Sequence, residues 1–395
     1  MKINNITLIT AAAALAPFAL NAQSAPAGAP AASKQAEGIK VTLNDKATIT
    51  VSGYAQAQYY YSDSKNNSGD ANSGFSIRRA AISAKGKIGE NWSAEVGFEI
   101  DGGKDGGKLD GAFVDKAIIS YTSEYGKLTA GYQKTAFAME EYSSSKTALA
   151  IEHGIATRYL TKGDYFANLT GRHGGIWWDG KFSDFKYTLA VTNQYNEDFD
   201  GDENSGVAFY GTLAYTIKSG DLKTEIGING AYNPGNDNKV HGEFTAANAP
   251  VYNVWGLEPY VKVTAGGFTG ILDVIYADGD EEKDINGPHG PTDAVWGGNA
   301  TIAYRFDSDI EPVVRLSYID VGDNKDLGPD LLQNVPADKA AQRGHDTAFG
   351  AYIGANYYVN KNIKVSAGYE YTTFDGADYG NDHANSLRFQ LQAVF

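Results

Sequence analysis

Charged side chains recur at alternate positions along this chain, and that spacing limits the chemistry they can do. Arg79, Lys85, Lys116, Arg315 and Arg388 share one phase of their segments with Glu95, Glu99 and Glu370. Side chains two apart in an extended segment project to one face. On a wet face, a row of Arg and Lys can replace part of an anion's hydration, and a row of Asp and Glu does the same for a cation. Both signs are present, so three outcomes stay open: charges that only solvate a wide wet space, a defined anion filter, and weak cation preference. Arg78 falls on the opposite phase and is expected at an apolar–water boundary, reaching water along its own stem.

Other chemistry finds little support. There is no Cys, which excludes a disulfide scaffold, a thiolate metal site and a cysteine nucleophile. His153, His173, His241, His289, His345 and His383 fall in or beside loops, without metal-ligand spacing. Asp198, Asp200 and Asp202 open like a calcium loop, but the sixth position is Glu203 and the twelfth is Phe209. A solvated acidic loop is the better reading there, and for Asp278, Asp280, Glu281, Glu282 and Asp284. HExxH, GxSxG and P-loop patterns are absent, so no enzyme and no cofactor are expected. The net charge of −15 argues against a nucleic-acid partner.

The elements that position these charges follow one grammar. Trp92, Ala94, Val96, Phe98 and Ile100 alternate with Ser93, Glu95, Gly97 and Glu99. Phe185 to Val191, Phe349 to Tyr357 and Ile363 to Tyr371 repeat the pattern. This period of two means strands with one apolar and one polar face. Short turns fall near residues 89–91, 124–126, 183–184, 219–221, 266–267, 307–309 and 360–362. Longer loops lie around 62–74, 102–110, 134–170, 195–205, 233–254, 280–293, 322–345 and 375–384. Seven turns and eight loops in strict alternation predict sixteen strands, with all tight turns at one end. Residues 134–170 are the hardest to read and leave room for short strand pieces. Lys2, the apolar run from Ile6 to Leu20 and the small residues before Gln23 predict a signal peptide over 1–22. Residues 23–46 read as a flexible leader rich in Ala, Pro and Ser.

Alternation alone does not separate a soluble sandwich from a membrane barrel. In a sandwich the apolar faces meet in a dry core; in a barrel they meet lipid and the polar faces line a lumen. The export signal, the unequal loops and the aromatics near strand ends (Tyr59, Tyr60, Tyr61, Trp92, Tyr357, Tyr358) favour the barrel. So does closure, which leaves no unpaired edge in hydrocarbon. The expectation is an all-β, sixteen-stranded antiparallel transmembrane β-barrel over 47–395, with short periplasmic turns and long extracellular loops. Its final strand alternates Leu387, Phe389, Leu391, Ala393 and Phe395 with Arg388, Gln390 and Gln392, and ends on an aromatic.

Three stretches carry a resemblance to a known family. FSIRRAAISAKGKI from Phe75 to Ile88, with the following GEN, Trp92 and Glu95 to Asp101, resembles two early strands of the phosphate-selective porin O and P family. KLTAGYQ from Lys127 to Gln133, leading to Glu140 and Glu141, is similar too, as is Gly175 to Asn193 with its GKFSDF turn. The resemblance implies a trimeric barrel in the bacterial outer membrane whose third extracellular loop folds inward, placing Lys134, Glu140, Glu141, Lys146 and Arg158 at a constriction; Glu152 lies on the same loop. It implies passive diffusion of small hydrophilic solutes or ions, including anions such as phosphate. The terminal Phe395 looks like the signal by which the barrel-assembly machinery recognises its clients, and the partners would be lipid and lipopolysaccharide. Competing classes are a plugged barrel serving as a surface adhesin and a secreted sandwich binding carbohydrate.

Overall fold

The computed structural model describes residues 38–44, 46–65, 71–102, 109–163, 165–195, 206–235, 252–280, 282–284, 287–289, 291–335, 343–376 and 380–395. The expected signal peptide and most of the leader lie outside these residues, as do Asp198, Asp200, Asp202 and Glu281.

Sixteen antiparallel strands close into a barrel. They are β2 (Ala47–Ser64), β3 (Asn72–Ile88), β4 (Trp92–Gly102), β5 (Leu109–Ser123), β6 (Gly126–Lys134), β7 (Arg172–Phe182), β8 (Phe185–Asn193), β9 (Val207–Ser219), β10 (Leu222–Pro234), β11 (Asn253–Ala265), β12 (Phe268–Gly279), β15 (Val295–Tyr304), β16 (Ile310–Asp320), β17 (Thr347–Tyr358), β18 (Ile363–Asp375) and β19 (Asp382–Val394). Closure is made by β19 on β2, from Ala384 opposite Ser64 to Val394 opposite Tyr54. All seven tight turns fall where the sequence placed them, as do the eight longer connections. A two-stranded ribbon, β13 (Glu282–Asp284) and β14 (Gly287–His289), decorates one loop.

The barrel is built inside-out relative to a soluble core. Ile119, Leu189 and Ile353 face outward and stay 58 %, 58 % and 62 % exposed, while Gln56 and Arg315 face inward at 1 %. A closed ladder satisfies every strand's backbone groups without water, which hydrocarbon demands.

One strand was not expected. β1 (Ile39–Asn44) lies in the stretch read as a flexible leader, yet it pairs with β2 from Ile39 opposite Val51 to Asn44 opposite Ala47. The reason lies at the seam. The last residue, Phe395, exchanges backbone hydrogen bonds with Gly53 at 2.9 and 3.0 Å. Beyond that level, from Val51 to Ala47, β2 pairs with β1 instead, and so presents no open edge there. In that stretch Ile39, Val41 and Leu43 of β1 continue the apolar exterior.

Among the register shifts of the ladders, two bulges re-aim charged side chains. In the β2–β3 ladder Gln56 pairs with Arg79 and Ala57 with Ile77, so Arg78 is the extra residue. In the β4–β5 ladder Gly97 pairs with Lys116 and Phe98 with Val114, leaving Asp115 extra. A bulge sets two residues against one and re-aims side chains. Arg78 therefore points inward, correcting the expectation that it would sit at the lipid boundary. On the amino-terminal side of the second bulge Phe113 pairs with Glu99 and turns into the barrel.

Candidate functional site

The third long loop, residues 135–171, folds into the barrel. It contains helices rather than the short strand pieces that were thought possible: α1 (Met139–Tyr142), α2 (Ile155–Lys162) and a single helical turn, Ala167–Leu169. α2 has six buried residues, Ile155 to Leu160. Its amino end is seated on β16, where the Ala156 amide donates to Ser317 Oγ at 3.1 Å. Gly154 is required at that contact, because a Cβ there would stand 2.3 Å from Asn299 Oδ1. The helix stops at Gly163, whose amide donates to Tyr159 O.

The loop is stapled to one side of the barrel. Arg315 Nη1 donates to Glu140 Oε1 at 2.7 Å and also to the Glu152 carbonyl; its Nη2 donates to Glu370 Oε1 at 2.8 Å. Asn356, Lys364 and Gln392 donate to the carbonyls of Leu149, Ala148 and Lys146 at 3.0, 2.9 and 3.0 Å. Glu258 accepts from the Met139 amide at 2.7 Å. Phe137 fills the space left by Gly256, where any Cβ would meet the ring at 2.3 Å. Above these contacts Ile155, Tyr159, Leu160, Phe166 and Leu169 join Ile275, Val295, Ile319 and Phe374 of the wall in a dry cluster. The seventh loop adds Leu327, Leu331 and Leu332. Burying each such side chain contributes roughly 1.5–3 kcal/mol.

The opposite side, along β3 to β7, stays open. A cavity of about 560 Å³ lies between α2 and this wall and reaches Gln333 of the seventh loop. A second, of about 280 Å³, continues it and reaches Ser52 and Gly53, level with the carboxyl terminus. Glu99, Lys134, Ser145 and Arg172 line both. The two adjoin at these residues and together extend from the long loops toward the tight-turn end.

The first cavity carries Arg78, Arg79, Lys134, Arg158, Lys162 and Arg172 against Glu99, Glu141 and Glu152. Most of these charges are paired. Arg78 grips Glu152 with Nε to Oε1 at 2.6 Å and Nη2 to Oε2 at 3.1 Å. Arg172 Nη2 donates to Asp115 Oδ1 at 2.6 Å and Glu99 Oε2 at 3.3 Å. Lys134 donates to Glu141 Oε1 at 2.5 Å. Arg79 is held more loosely, with Glu99 and Glu152 oxygens at 3.8 and 3.7 Å. Arg158 donates Nε to the His153 carbonyl at 2.7 Å, but its nearest carboxylate oxygens lie at 3.9 and 4.0 Å.

Loop charges respond to this setting. Burial pushes the Glu141 carboxyl up, but Lys134 and His153 outweigh it and hold it down at about 2. Glu152 also stays well below the usual carboxylate range, since Arg78 and Arg79 overcome its burial. Burial lowers the His153 imidazole to about 4 against the opposing pull of Glu141 and Glu140, so it is neutral at pH 7. The loop's carboxylates are thus ionised, and the path carries an excess of fixed positive charge.

The residues singled out from sequence fall into three groups. Arg79, Glu99, Lys134, Glu141 and Arg158 meet at the first cavity; Glu95, Lys116 and Lys146 line the second. Lys116 reaches Glu95 at 3.3 Å, and the more exposed Lys85 reaches it at 3.9 Å without lining either cavity. Arg315, Glu140 and Glu370 form the buried staple under the loop. Arg388 lies inside as phased, donating to the Gln333 carbonyl. Sequence reasoning missed the inward Arg78, Asp115, Phe113, His153 and Arg172. Arg172 opens β7 immediately after the loop, and that position was its only signal.

A closed sixteen-stranded barrel with an apolar exterior, an inward-folded loop and a charged path beside it defines a transmembrane channel of the outer membrane. The chain belongs to the phosphate-selective porin O and P family, whose family model matches residues 35–249. It is 25 % identical to Porin O of Pseudomonas aeruginosa over 93 % of each chain. Among solved structures it is similar in fold to the outer-membrane channel DcaP of Acinetobacter baumannii, with TM-score 0.61 at 11 % identity over 91 % of this chain and all of the other. It also resembles the trimer form of OmpT of Vibrio cholerae, with TM-score 0.54 at 15 % identity over 89 % of this chain and all of the other.

Proposed function

We propose that this channel passes small hydrophilic anions by passive diffusion along the β3–β7 wall, and that it works as a homotrimer with one path per protomer. The supporting observation is the sign of the path. A chain of net charge −15 places six basic side chains against three acidic ones around its main cavity. Fixed charges in a narrow, partly dewatered passage raise the local concentration of counter-ions and set selectivity. Arg79, Arg158 and Arg172 would carry the preference, with Lys116 and Lys146 below them. The reaction is transport alone, with no covalent step, cofactor or enzyme activity. The trimer form of OmpT supports the assembly, and Phe395 at the seam suits the role of an insertion signal for the barrel-assembly machinery. Lipid and lipopolysaccharide would surround the apolar exterior.

Planar-bilayer recording in a salt gradient tests this. The account expects a reversal potential of anion-selective sign and conductance steps grouped in threes. A cation-selective sign would refute it. The plugged-adhesin reading is less well supported, because the two cavities share four lining residues and run past the loop.

A further inference from the structure

Resting on that anion-channel reading, we infer that the larger cavity is a binding site for an organic anion with an apolar body, a monocarboxylate on an aryl or alkyl group, in preference to inorganic phosphate.

The first observation is the state of the cations. Phosphate is small, multiply charged and strongly hydrated, so a filter for it needs several uncommitted donors converging on one point. Here Arg78 is committed to Glu152, Arg172 to Asp115 and Glu99, and Lys134 to Glu141. Glu99, Glu141 and Glu152 face the cavity as like charges toward a dianion. Arg79 and Arg158 line it with the carboxylate oxygens of their ion pairs at 3.7 to 4.0 Å, and Lys162 reaches Gln333 Oε1 at 3.4 Å. Arg158 Nη2 makes no hydrogen bond at all. Arg79, held by Gln56 Oε1 at 3.4 Å, and the one guanidinium nitrogen that Arg158 leaves without a hydrogen bond match the two oxygens of one carboxylate and the charge of a monoanion.

The second observation is Phe113. It is 36 % exposed, yet it faces the interior beside the charges rather than the lipid. The bulge at Asp115 turns it there, and Arg172 lies over its ring at 4.9 Å. An apolar ring left wet inside a lumen is unfavourable until something covers it. An aryl group can do so, stacking on Phe113 while its carboxylate reaches Arg79 and Arg158. The third observation is size. A cavity of about 560 Å³ falls in the range that encloses organic molecules and is far larger than one phosphate requires.

The experiment is block of chloride current by benzoate and by inorganic phosphate in planar bilayers, on the full barrel. Benzoate should half-block at a concentration about tenfold lower than phosphate, reflecting the covered ring. In Phe113→Ser, normalised to its own chloride current, that advantage should vanish. In Glu99→Gln, which releases Arg79 and Arg172, phosphate block should strengthen. Phosphate blocking the wild-type channel at or below the benzoate concentration would overturn the inference, as would an undiminished benzoate advantage in Phe113→Ser. A cation-selective reversal potential sinks the parent reading before any blocker is added. An anion-selective potential without benzoate preference sinks this inference alone.

Discussion

The two walls of the barrel interior are built on opposite principles. Along β11 to β17 an apolar layer of Val254, Ile275, Val295 and Ile319 faces inward and packs against the third and seventh loops, next to a buried polar network of Glu258, Asp273, Asn299 and Arg315. Along β3 to β7 the interior is wet, and its side chains are ions in pairs. The first wall fixes the loop by area, and the second leaves a path whose width and sign are set by charge. Shape and selectivity therefore reside in different residues and should fail separately.

The largest effect is expected on the apolar wall. Phe137→Ala empties the slot over Gly256, and a buried Phe lost to a cavity costs about 3–5 kcal/mol. The loop should loosen, seen as larger, noisier conductance steps, while the barrel ladder persists by circular dichroism. Unchanged steps would mean that the loop is held otherwise. Next comes acid. His153 titrates near 4 when folded, below its ordinary value of 6.5, so the folded loop binds fewer protons than the released loop between those limits. Loop docking is complete above about pH 6.5 and weakens as pH falls toward 4, by on the order of 3 kcal/mol. Glu141, held at about 2, extends the loss from about 4.5 downward as its own proton arrives. Gating noise should rise below pH 6 and be reduced in His153→Gln; noise independent of pH would contradict this.

On the charged wall the effects are smaller and concern selectivity. Arg79→Ala should reduce the anion-to-cation permeability ratio about two- to threefold without enlarging the steps, and Lys116→Ala should do less. If neither moves the reversal potential, these residues are not the filter. The smallest effect belongs to Lys85→Ala. Its side chain is half exposed and 3.9 Å from Glu95, so it should change stability by less than about 0.5 kcal/mol and selectivity hardly at all.

The same contrast governs what the sequence disclosed. Period-two patterning and turn chemistry are local, so the strand count, the seven turns and the inward phase of Arg79, Glu95, Glu99, Lys116, Arg315 and Arg388 were legible. A bulge is defined by counting across a ladder, which no single strand reveals; hence Arg78 was read as lipid-facing and Asp115 and Phe113 went unnoticed. β1 was read as leader because its reason for existing, the end of the closing ladder at Phe395, is 351 residues away from Asn44 in the chain. The loop's helices are short and held by tertiary contacts such as Ser317 and Gly256, so their own sequence carried little signal. Inward Ile271, Ile275 and Ala277, on either side of Asp273, make β12 largely apolar on both faces, and that departure from alternation was the available clue to the apolar layer.

The central claim is that solutes travel along the β3–β7 side of the loop and not the other. The chain has no native cysteine, so single substitutions report cleanly. Ser83→Cys lines the second cavity of the path, and Thr269→Cys lines a third cavity of about 340 Å³ across the loop, which meets the other two only at Ser143, Ser145 and His153. During bilayer recording, an anionic thiol reagent should cut the current through Ser83→Cys and leave Thr269→Cys conducting as before. Loss of current in Thr269→Cys with none in Ser83→Cys would place the path on the wrong wall.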